Sequence, residues 1–146
     1  MEHSFQFETR WSDLDPNSHV KHSVYYDWGA SARMRFLEDL GLTLDVLAHH
    51  HTGAVLLKEE CLFRREVRFG DIVTLDFQLV EARKDYSRWT VRHQILILPD
   101  KPAAQLTVHG AWIDTQKRKL ILPPPLVTDV FSRIPRAADF KWLDKE

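Results

Sequence analysis

The chain has 146 residues, 44% of them hydrophobic and 28% charged, which is typical of one globular domain with a buried core. Its formal net charge of −1 excludes a general attraction to nucleic acid, so an anionic ligand would have to be bound by local basic groups. No apolar run approaches the roughly 18 residues that a membrane span needs, and the N-terminus does not show a signal-peptide pattern. The single cysteine, Cys61, excludes an intramolecular disulfide and suits a reducing compartment. We therefore expect a cytoplasmic protein with a single domain over residues 1–146.

The first third of the chain predicts a strand, a polar loop and one long helix. Apolar and polar residues alternate at the start, which predicts a half-buried strand with one face formed by Phe5, Phe7, Thr9 and Trp11. From Ser23 to Leu40 the spacing becomes helical, with a stripe of Tyr25, Trp28, Ala32, Phe36 and Leu40. Arg33 and Arg35 fall off that stripe, and Gly41 is placed to end the helix. The segment TLDVLAHHH predicts a short second helix.

After Gly53 the hydrophobic pattern has period two, which predicts long antiparallel strands separated by the turns FGD, RKDYS and LPDKP. The first strand has one face formed by Val55, Leu57, Cys61, Phe63, Val67 and Phe69. The later faces are formed by Val73, Leu75, Phe77 and Leu79, then by Trp89, Val91, His93, Ile95 and Ile97, then by Leu106, Val108 and Trp112, with Gly110 marking a bulge or close approach.

The C-terminal extension, residues 129–146, predicts a short helix followed by a charged tail. Because a single long helix needs an apolar surface, a curved sheet of about five strands wrapped around it would bury both. The predicted fold class is therefore α+β.

Polar and ionisable side chains crowd the loop before the long helix, where Asp15, Asn17 and His19 alternate in the sequence. One interpretation is a capping loop that satisfies the free N–H groups of the helix start. The other is a reactive site, because a carboxylate that attacks or deprotonates water beside oxyanion-binding N–H groups is what acyl transfer to water requires.

This region, RWSDLDPNSHVKHSVYYDWGASAR, closely resembles the first conserved block of hotdog-fold thioesterases of the 4-hydroxybenzoyl-CoA thioesterase group, and the corresponding block of acyl-ACP thioesterases. The matching residues are Asp13, Asp15, His19, Val20, Tyr25, Ala32 and Arg33. FRREVRFGDIV, residues 63–73, also resembles the second strand of the family and its Gly-Asp turn. The resemblance implies a hotdog fold, in which a curved antiparallel sheet wraps around a central helix.

The resemblance also implies an activity and site residues. Asp15 would be the nucleophile or general base, supported by Asn17 and His19, and Glu66 matches a catalytic glutamate of the acyl-ACP branch. At the helix start His22, Ser23 and Tyr25 would contact the substrate, and the amides near His22 and Ser23 would bind the oxyanion. The substrate would be an acyl-CoA or acyl-ACP thioester, and its hydrolysis would need no cofactor or metal. The active protein would be a homodimer or homotetramer, and the thioester would enter at the subunit interface.

Two departures from the family pattern, and the predicted direction of the Glu66 side chain, bear on the mechanism. Ser18 replaces a glycine common among relatives, so the loop conformation could differ. Val67 occupies the position of the acyl-ACP branch's cysteine, and Cys61 lies too far away to replace it, so a thiol mechanism is not expected. By alternation Glu66 points opposite to Phe63 and Val67, and it would reach the site only through a bulge or the subunit interface.

Two other functions remain open from the sequence. A hotdog hydratase or dehydratase also uses an Asp, an Asn and a His, at a spacing that differs by one residue. A non-catalytic acyl-binding hotdog protein would bind acyl thioesters without releasing thiol.

The run from His49 to His51 predicts an exposed loop rather than a metal site, because adjacent residues do not converge on one ion. The runs RREVR and Arg83, Lys84 and Arg88 could bind the phosphates of coenzyme A or an acidic carrier protein, or lie on solvated strand edges.

Overall fold

The computed structural model describes residues 4–144 of the chain. Three helices lie within that range: α1 (His22–Asp39), α2 (Leu44–His49) and α3 (Pro125–Ser132). The same range contains the strands β1 (Phe5–Glu8), β2 (Thr52–Phe63), β3 (Ile72–Leu75), β4 (Gln78–Ala82), β5 (Arg88–Ile97), β6 (Lys101–Asp114), β7 (Lys119–Leu120) and β8 (Arg136–Trp142). None of these helices is both long and apolar enough to cross a membrane.

All of these strands belong to one curled sheet. The long strands β2, β6 and β5 pair in that order, and the far edge of β5 is shared by β3 and β4. At that side β1 pairs with β3, and β8 runs parallel to β4. Within the described residues β2 pairs only with β6, so its other edge has no strand partner.

Helix α1 packs against the sheet through the apolar stripe predicted from its spacing. Its side chains at Tyr25, Trp28, Ala32 and Phe36 are all buried, and Phe36 stacks on Phe77 with 4.5 Å between ring centroids. This burial stabilises the helix by removing apolar surface from water. The α+β fold predicted from the sequence is confirmed.

The helix ends where the sequence predicts. Gly41 has a φ of +90°, its N–H donates to the Glu38 carbonyl, and the N–H of Leu42 donates to the Leu37 carbonyl. These bonds satisfy carbonyl groups at the end of the helix, and glycine adopts the left-handed conformation without a Cβ clash.

The predicted faces of β3, β4 and β5 are confirmed, since every residue named for them is buried. A break at Asp76 and Phe77 divides the predicted second strand into β3 and β4. At Gly110 on β6, an added Cβ would collide with the ring of Trp89, which is the close approach that the glycine predicts.

Two parts of the predicted strands are wrong. Strand β1 ends at Glu8, and Trp11 lies in a short 3-10 turn with 79% of its surface exposed. Strand β2 ends at Phe63, so Val67 and Phe69 do not continue it; Val67 is buried in the core, whereas Phe69 is exposed and contacts Trp11 edge to face. After Glu8 and after Phe63 the chain turns, and its backbone no longer pairs with the neighbouring strand.

The C-terminal region differs from a short helix followed by a charged tail. Helix α3 begins at Pro125, and residues 136–142 form β8. The charged side chains of this segment lie on the outer side of the sheet, where Lys141 pairs with Glu81 and Asp139 with Arg92. Its backbone adds a parallel strand, a pairing that composition alone does not reveal. Residues 145 and 146 of the predicted extension lie outside the described range.

Candidate active site

The two aspartates of the loop before α1 have different environments. Asp13 is buried, and it accepts hydrogen bonds from the Arg10 backbone N–H and guanidinium. This hydrogen bonding with Arg10 holds the pKa of the Asp13 carboxyl below its ordinary value. Asp13 therefore holds the turn together.

Asp15 is only partly buried and folds the loop around itself. Its Oδ1 accepts from the backbone N–H groups of Asn17, at 2.8 Å, and His19, at 3.2 Å. Its own N–H donates to the His19 carbonyl. Within residues 4–144, Oδ2 of Asp15 accepts no hydrogen bond, so one carboxylate oxygen is anchored and the other is available.

Ser18 occupies the tight point of this loop with a φ of +66°. This left-handed conformation is one that glycine adopts readily and other residues adopt at a cost. The loop thus keeps the backbone shape that a glycine would favour, although the chain has serine there.

The loop is attached to the segment that follows β2. The N–H of Val20 donates to the Val67 carbonyl, and His19 forms a β-bridge with Arg68. Across this junction Nε2 of His19 lies 2.9 Å from Oε2 of Glu66. Glu66 therefore reaches the loop of the same chain. The alternation that placed its side chain on the opposite face does not apply, because β2 has already ended at Phe63.

The N-terminus of α1 lacks a side-chain cap. Lys21 is the N-cap residue and its side chain accepts no hydrogen bond from the helix. Within residues 4–144 the N–H groups of His22 and Ser23 have no side-chain acceptor, and they lie at the positive end of an 18-residue helix. Such an end favours a negatively charged ligand atom.

A cleft of about 390 Å³ contains most of the predicted site residues. It is lined by Asp15, His19, Val20, His22, Tyr25, Phe63, Arg64, Arg65 and Glu66. Asn17 and Ser23 do not line it, and Asn17 contributes its backbone N–H to Asp15 instead. Burial raises the pKa of Tyr25, opposed by hydrogen bonding with the Val67 backbone, so its hydroxyl stays protonated near neutral pH.

Sequence reasoning missed a largely buried polar cluster of Arg33, Glu59 and His93 between α1 and the sheet. Nη1 of Arg33 lies 3.3 Å from Nε2 of His93, and its Nη2 lies 3.6 Å from Oε2 of Glu59. His93 also donates from Nδ1 to the Asp76 carbonyl at 2.7 Å. Burial and the Arg33 charge lower the pKa of His93 to about 3. The sequence did contain one indication that Arg33 is buried. Arg33 lies three residues before the core residue Phe36, and residues at this spacing are neighbours on the helix surface.

Two other features stay apart from this cleft. Cys61 does not line it, and burial raises the pKa of its thiol to about 11, which disfavours the reactive thiolate. A larger cavity of about 730 Å³ lies around Asp76, Gln94 and Arg133 and includes none of the predicted site residues.

Comparison with known proteins identifies the family. A sequence model of the thioesterase-like superfamily matches residues 9–131. The chain belongs to this superfamily. The match spans the Asp15 loop, α1 and the long strands, and the predicted resemblance to hotdog-fold thioesterases is confirmed. No curated protein sequence matches the chain.

Solved structures establish the same fold for this superfamily member. A Staphylococcus aureus protein determined in complex with CoA matches with a TM-score of 0.84 and 17% identity, over 90% of this chain and 82% of that one. The DHNA-CoA thioesterase of Staphylococcus aureus gives a TM-score of 0.82 at 14% identity, over 90% and 89%. The 1,4-dihydroxy-2-naphthoyl-CoA thioesterase of Synechocystis gives 0.81 at 15% identity, over 91% and 97%.

Proposed function

We propose that the protein hydrolyses acyl-CoA thioesters, with Asp15 as the catalytic carboxylate. One observation carries this proposal: Asp15, His19 and Glu66 line one cleft that also includes His22, the first residue of α1. Membership of the thioesterase-like superfamily supports it, and so does the CoA bound to a protein of the same fold.

Asp15 is positioned to act on the thioester carbonyl or on water. Its Oδ1 is held by two backbone N–H groups, so Oδ2 can attack the carbonyl carbon or take a proton from an attacking water molecule. In the first route the C–S bond breaks as an acyl-enzyme anhydride forms, which water then hydrolyses. In the second route water adds directly. Both give a free acid and a free thiol.

The surrounding groups would stabilise the charges that develop. The N–H groups of His22 and Ser23 would bind the oxyanion at the positive end of α1. His19, hydrogen-bonded to Glu66, would orient water or return a proton to the departing thiolate. The Tyr25 hydroxyl would contribute a further hydrogen bond to the substrate.

We also propose that the active form is a homodimer or a homotetramer built from such dimers. Strand β2 leaves one edge unpaired within the described residues, and its large apolar side chains are about half exposed. These side chains are Leu56, Leu57, Leu62 and Phe63. Pairing with a second copy would cover this edge, and Phe63 also lines the cleft.

The test is the release of free thiol from short, long and aromatic acyl-CoA substrates. Asp15→Asn should lower kcat/KM by about 100-fold or more. The midpoint temperature of thermal unfolding should stay nearly unchanged. Asp100→Asn, in the exposed turn before β6, is the matched control and should keep wild-type activity. An Asp15→Asn variant with full activity would contradict the catalytic assignment.

Other functions would give different results in the same experiment. Hydration of a 2-enoyl-CoA without thiol release would identify a hydratase. Tight binding of acyl-CoA with neither reaction would identify an acyl-binding protein.

A further inference from the structure

The cavity of about 730 Å³ lies where the sheet divides into two arms. Strands β3 and β4 both pair with β5, but residues 76 and 77 between them belong to neither strand. Beyond this gap β1 pairs with β3 to form one arm, and β8 pairs with β4 to form the other. The cavity is lined by Ser4 and Thr74 from the first arm, Gln78 and Pro135 from the second, and Gln94 and Leu96 from β5. It therefore occupies the gap between the arms, and we call it the notch.

The notch is separate from the candidate active site and from the unpaired edge of β2. No residue lines both the notch and the cleft that contains Asp15. Strands β6 and β5 lie between β2 and the two arms, so a dimer formed through β2 would leave the notch open. A ligand in the notch would compete neither with a thioester beside Asp15 nor with a second subunit on β2.

Asp76 brings an unpaired carboxylate to the notch. Its Oδ1 accepts a hydrogen bond of 2.6 Å from the Gln94 backbone N–H. Across residues 4–144 no cationic side-chain group lies within 4.0 Å of either carboxylate oxygen. Burial raises the pKa of the Asp76 carboxyl, opposed by the bond from Gln94. A carboxylate that has lost part of its hydration is stabilised by a cation that reaches its second oxygen.

The two arginines of this region already have acidic partners. Arg133 lines the notch, and its Nη2 lies 3.1 Å from Oδ2 of Asp129. Arg92 attracts Asp76 through space, but its guanidinium donates two hydrogen bonds to Asp139, at 3.0 and 3.2 Å. Neither arginine forms an ion pair with Asp76, so the negative charge of Asp76 is available to a ligand.

The other groups of the notch suit an amine with an apolar body. The Gln94 side-chain amide donates to Gln105 at 3.1 Å, which leaves its carbonyl oxygen as an acceptor. An ammonium group has three donors and no acceptor, which matches a carboxylate beside a carbonyl oxygen. The apolar side chains of Leu40, Leu96 and Pro135 line the same notch. In the described part of the chain no group of three or more His, Cys, Asp or Glu side chains is placed to hold a metal ion, so an organic cation fits better.

We propose that the notch binds a small organic cation, namely a primary ammonium group carried on an apolar chain. The ammonium group donates to Oδ2 of Asp76 and to the side-chain oxygen of Gln94, and the chain lies against the apolar wall. The volume of about 730 Å³ lies within the usual range for small-molecule sites. This site is additional to the proposed hydrolysis and does not depend on it.

The experiment measures the dissociation constants of hexylamine and hexanol by calorimetric titration of the full chain at neutral pH. The two compounds have the same chain, but only the amine is charged. We expect the wild type to bind hexylamine with a Kd of about 1 mM or below, and at least about tenfold more tightly than hexanol. Asp76→Asn should lose this preference, although its amide oxygen can still accept the Gln94 N–H. Asp15→Asn and Asp100→Asn remove the same charge elsewhere and should keep the preference.

Each contrary result overturns the site. A wild type that binds the amine and the alcohol equally would do so, and so would an Asp76→Asn variant that keeps the preference for the amine. Loss of the preference in Asp15→Asn would place the amine in the active-site cleft instead. Thr74→Trp fills the notch without changing its charge and should prevent hexylamine binding, so an unchanged affinity in this variant would also exclude the notch. Thermal unfolding shows that each variant is folded.

Discussion

The His19 imidazole and the Glu66 carboxylate meet at 2.9 Å, joining the loop before α1 to the segment after β2. Both side chains are partly exposed, at 35% and 53%. An ion pair this exposed adds little to stability. The contact holds the imidazole beside the cleft that Asp15 also lines.

If His19 and Glu66 serve the proposed reaction through this one contact, the effects of substituting them should not be additive. We expect His19→Gln and Glu66→Gln each to lower kcat/KM by about 10- to 100-fold, and the double variant to be little worse than the poorer single variant. The free energy of unfolding, measured by urea denaturation, should change by less than about 1 kcal/mol. Asp139→Asn, which breaks the ion pair with Arg92 on the far side of the sheet, should keep full activity. Fully additive losses would show that the two residues act separately.

The left-handed conformation of Ser18 predicts opposite effects for two substitutions. Ser18→Gly should leave stability unchanged or raise it by up to about 1 kcal/mol, because relief of backbone strain is offset by a more flexible unfolded chain. Ser18→Val should lower stability by about 1–2 kcal/mol, because a β-branched residue resists a positive φ. Thermal unfolding of the two variants measures this. Equal stability of both would mean that the loop adopts another conformation in solution.

The exposed leucines of β2 predict how the protein assembles. Leu57→Lys and Leu62→Lys should shift the molecular mass in solution from dimer toward monomer, because a lysine on the edge opposes strand pairing. Thiol release should fall with the dimer. Leu122→Lys, at a leucine that is 69% exposed outside the sheet, is the control and should stay dimeric. Light scattering after size-exclusion chromatography gives the mass, and a monomeric wild type would contradict the proposal.

The pKa of His93 predicts how stability depends on pH. It falls from 6.5 to about 3 on folding, so below pH 6.5 the unfolded chain binds a proton that the folded protein does not. The contribution of the neutral His93 imidazole to the free energy of unfolding is fully present above pH 6.5. It is lost progressively as the pH falls toward about 3, by at most about 1.4 kcal/mol per pH unit. His93→Gln should therefore show a shallower decline between pH 6.5 and 5.

Urea unfolding at several pH values measures this decline. His50→Gln, at an exposed position, should follow the wild type. An identical acid slope for His93→Gln and the wild type would mean that His93 is not buried as a neutral group.

Local patterns predicted much of the fold and part of the site. The stripe of α1, its end at Gly41 and the buried faces of β3 to β5 follow from helical or strand periodicity, which a few neighbouring residues determine. The sequence likewise places Asp15 and His19 in a polar loop directly before this helix.

Other features depend on contacts between distant segments. Arg33 is mostly buried because His93 and Glu59 supply partners from β5 and β2, and nothing near Arg33 in the sequence specifies them. Residues 136–142 form β8 because β4 offers a free edge, although their charged composition indicated a tail.

The sequence by itself determined the fold class, the position of the long helix and the loop that carries Asp15, because these follow from periodicity and from local hydrogen bonding. Only the tertiary structure decided that Glu66 reaches His19. The place where β2 stops pairing with β6 sets this contact: its ladder ends at Phe63, and the N–H groups of Arg64 and Arg65 then both donate to the Ala103 carbonyl. Pairing between distant strands fixes that end point, and alternation within one strand cannot reveal it.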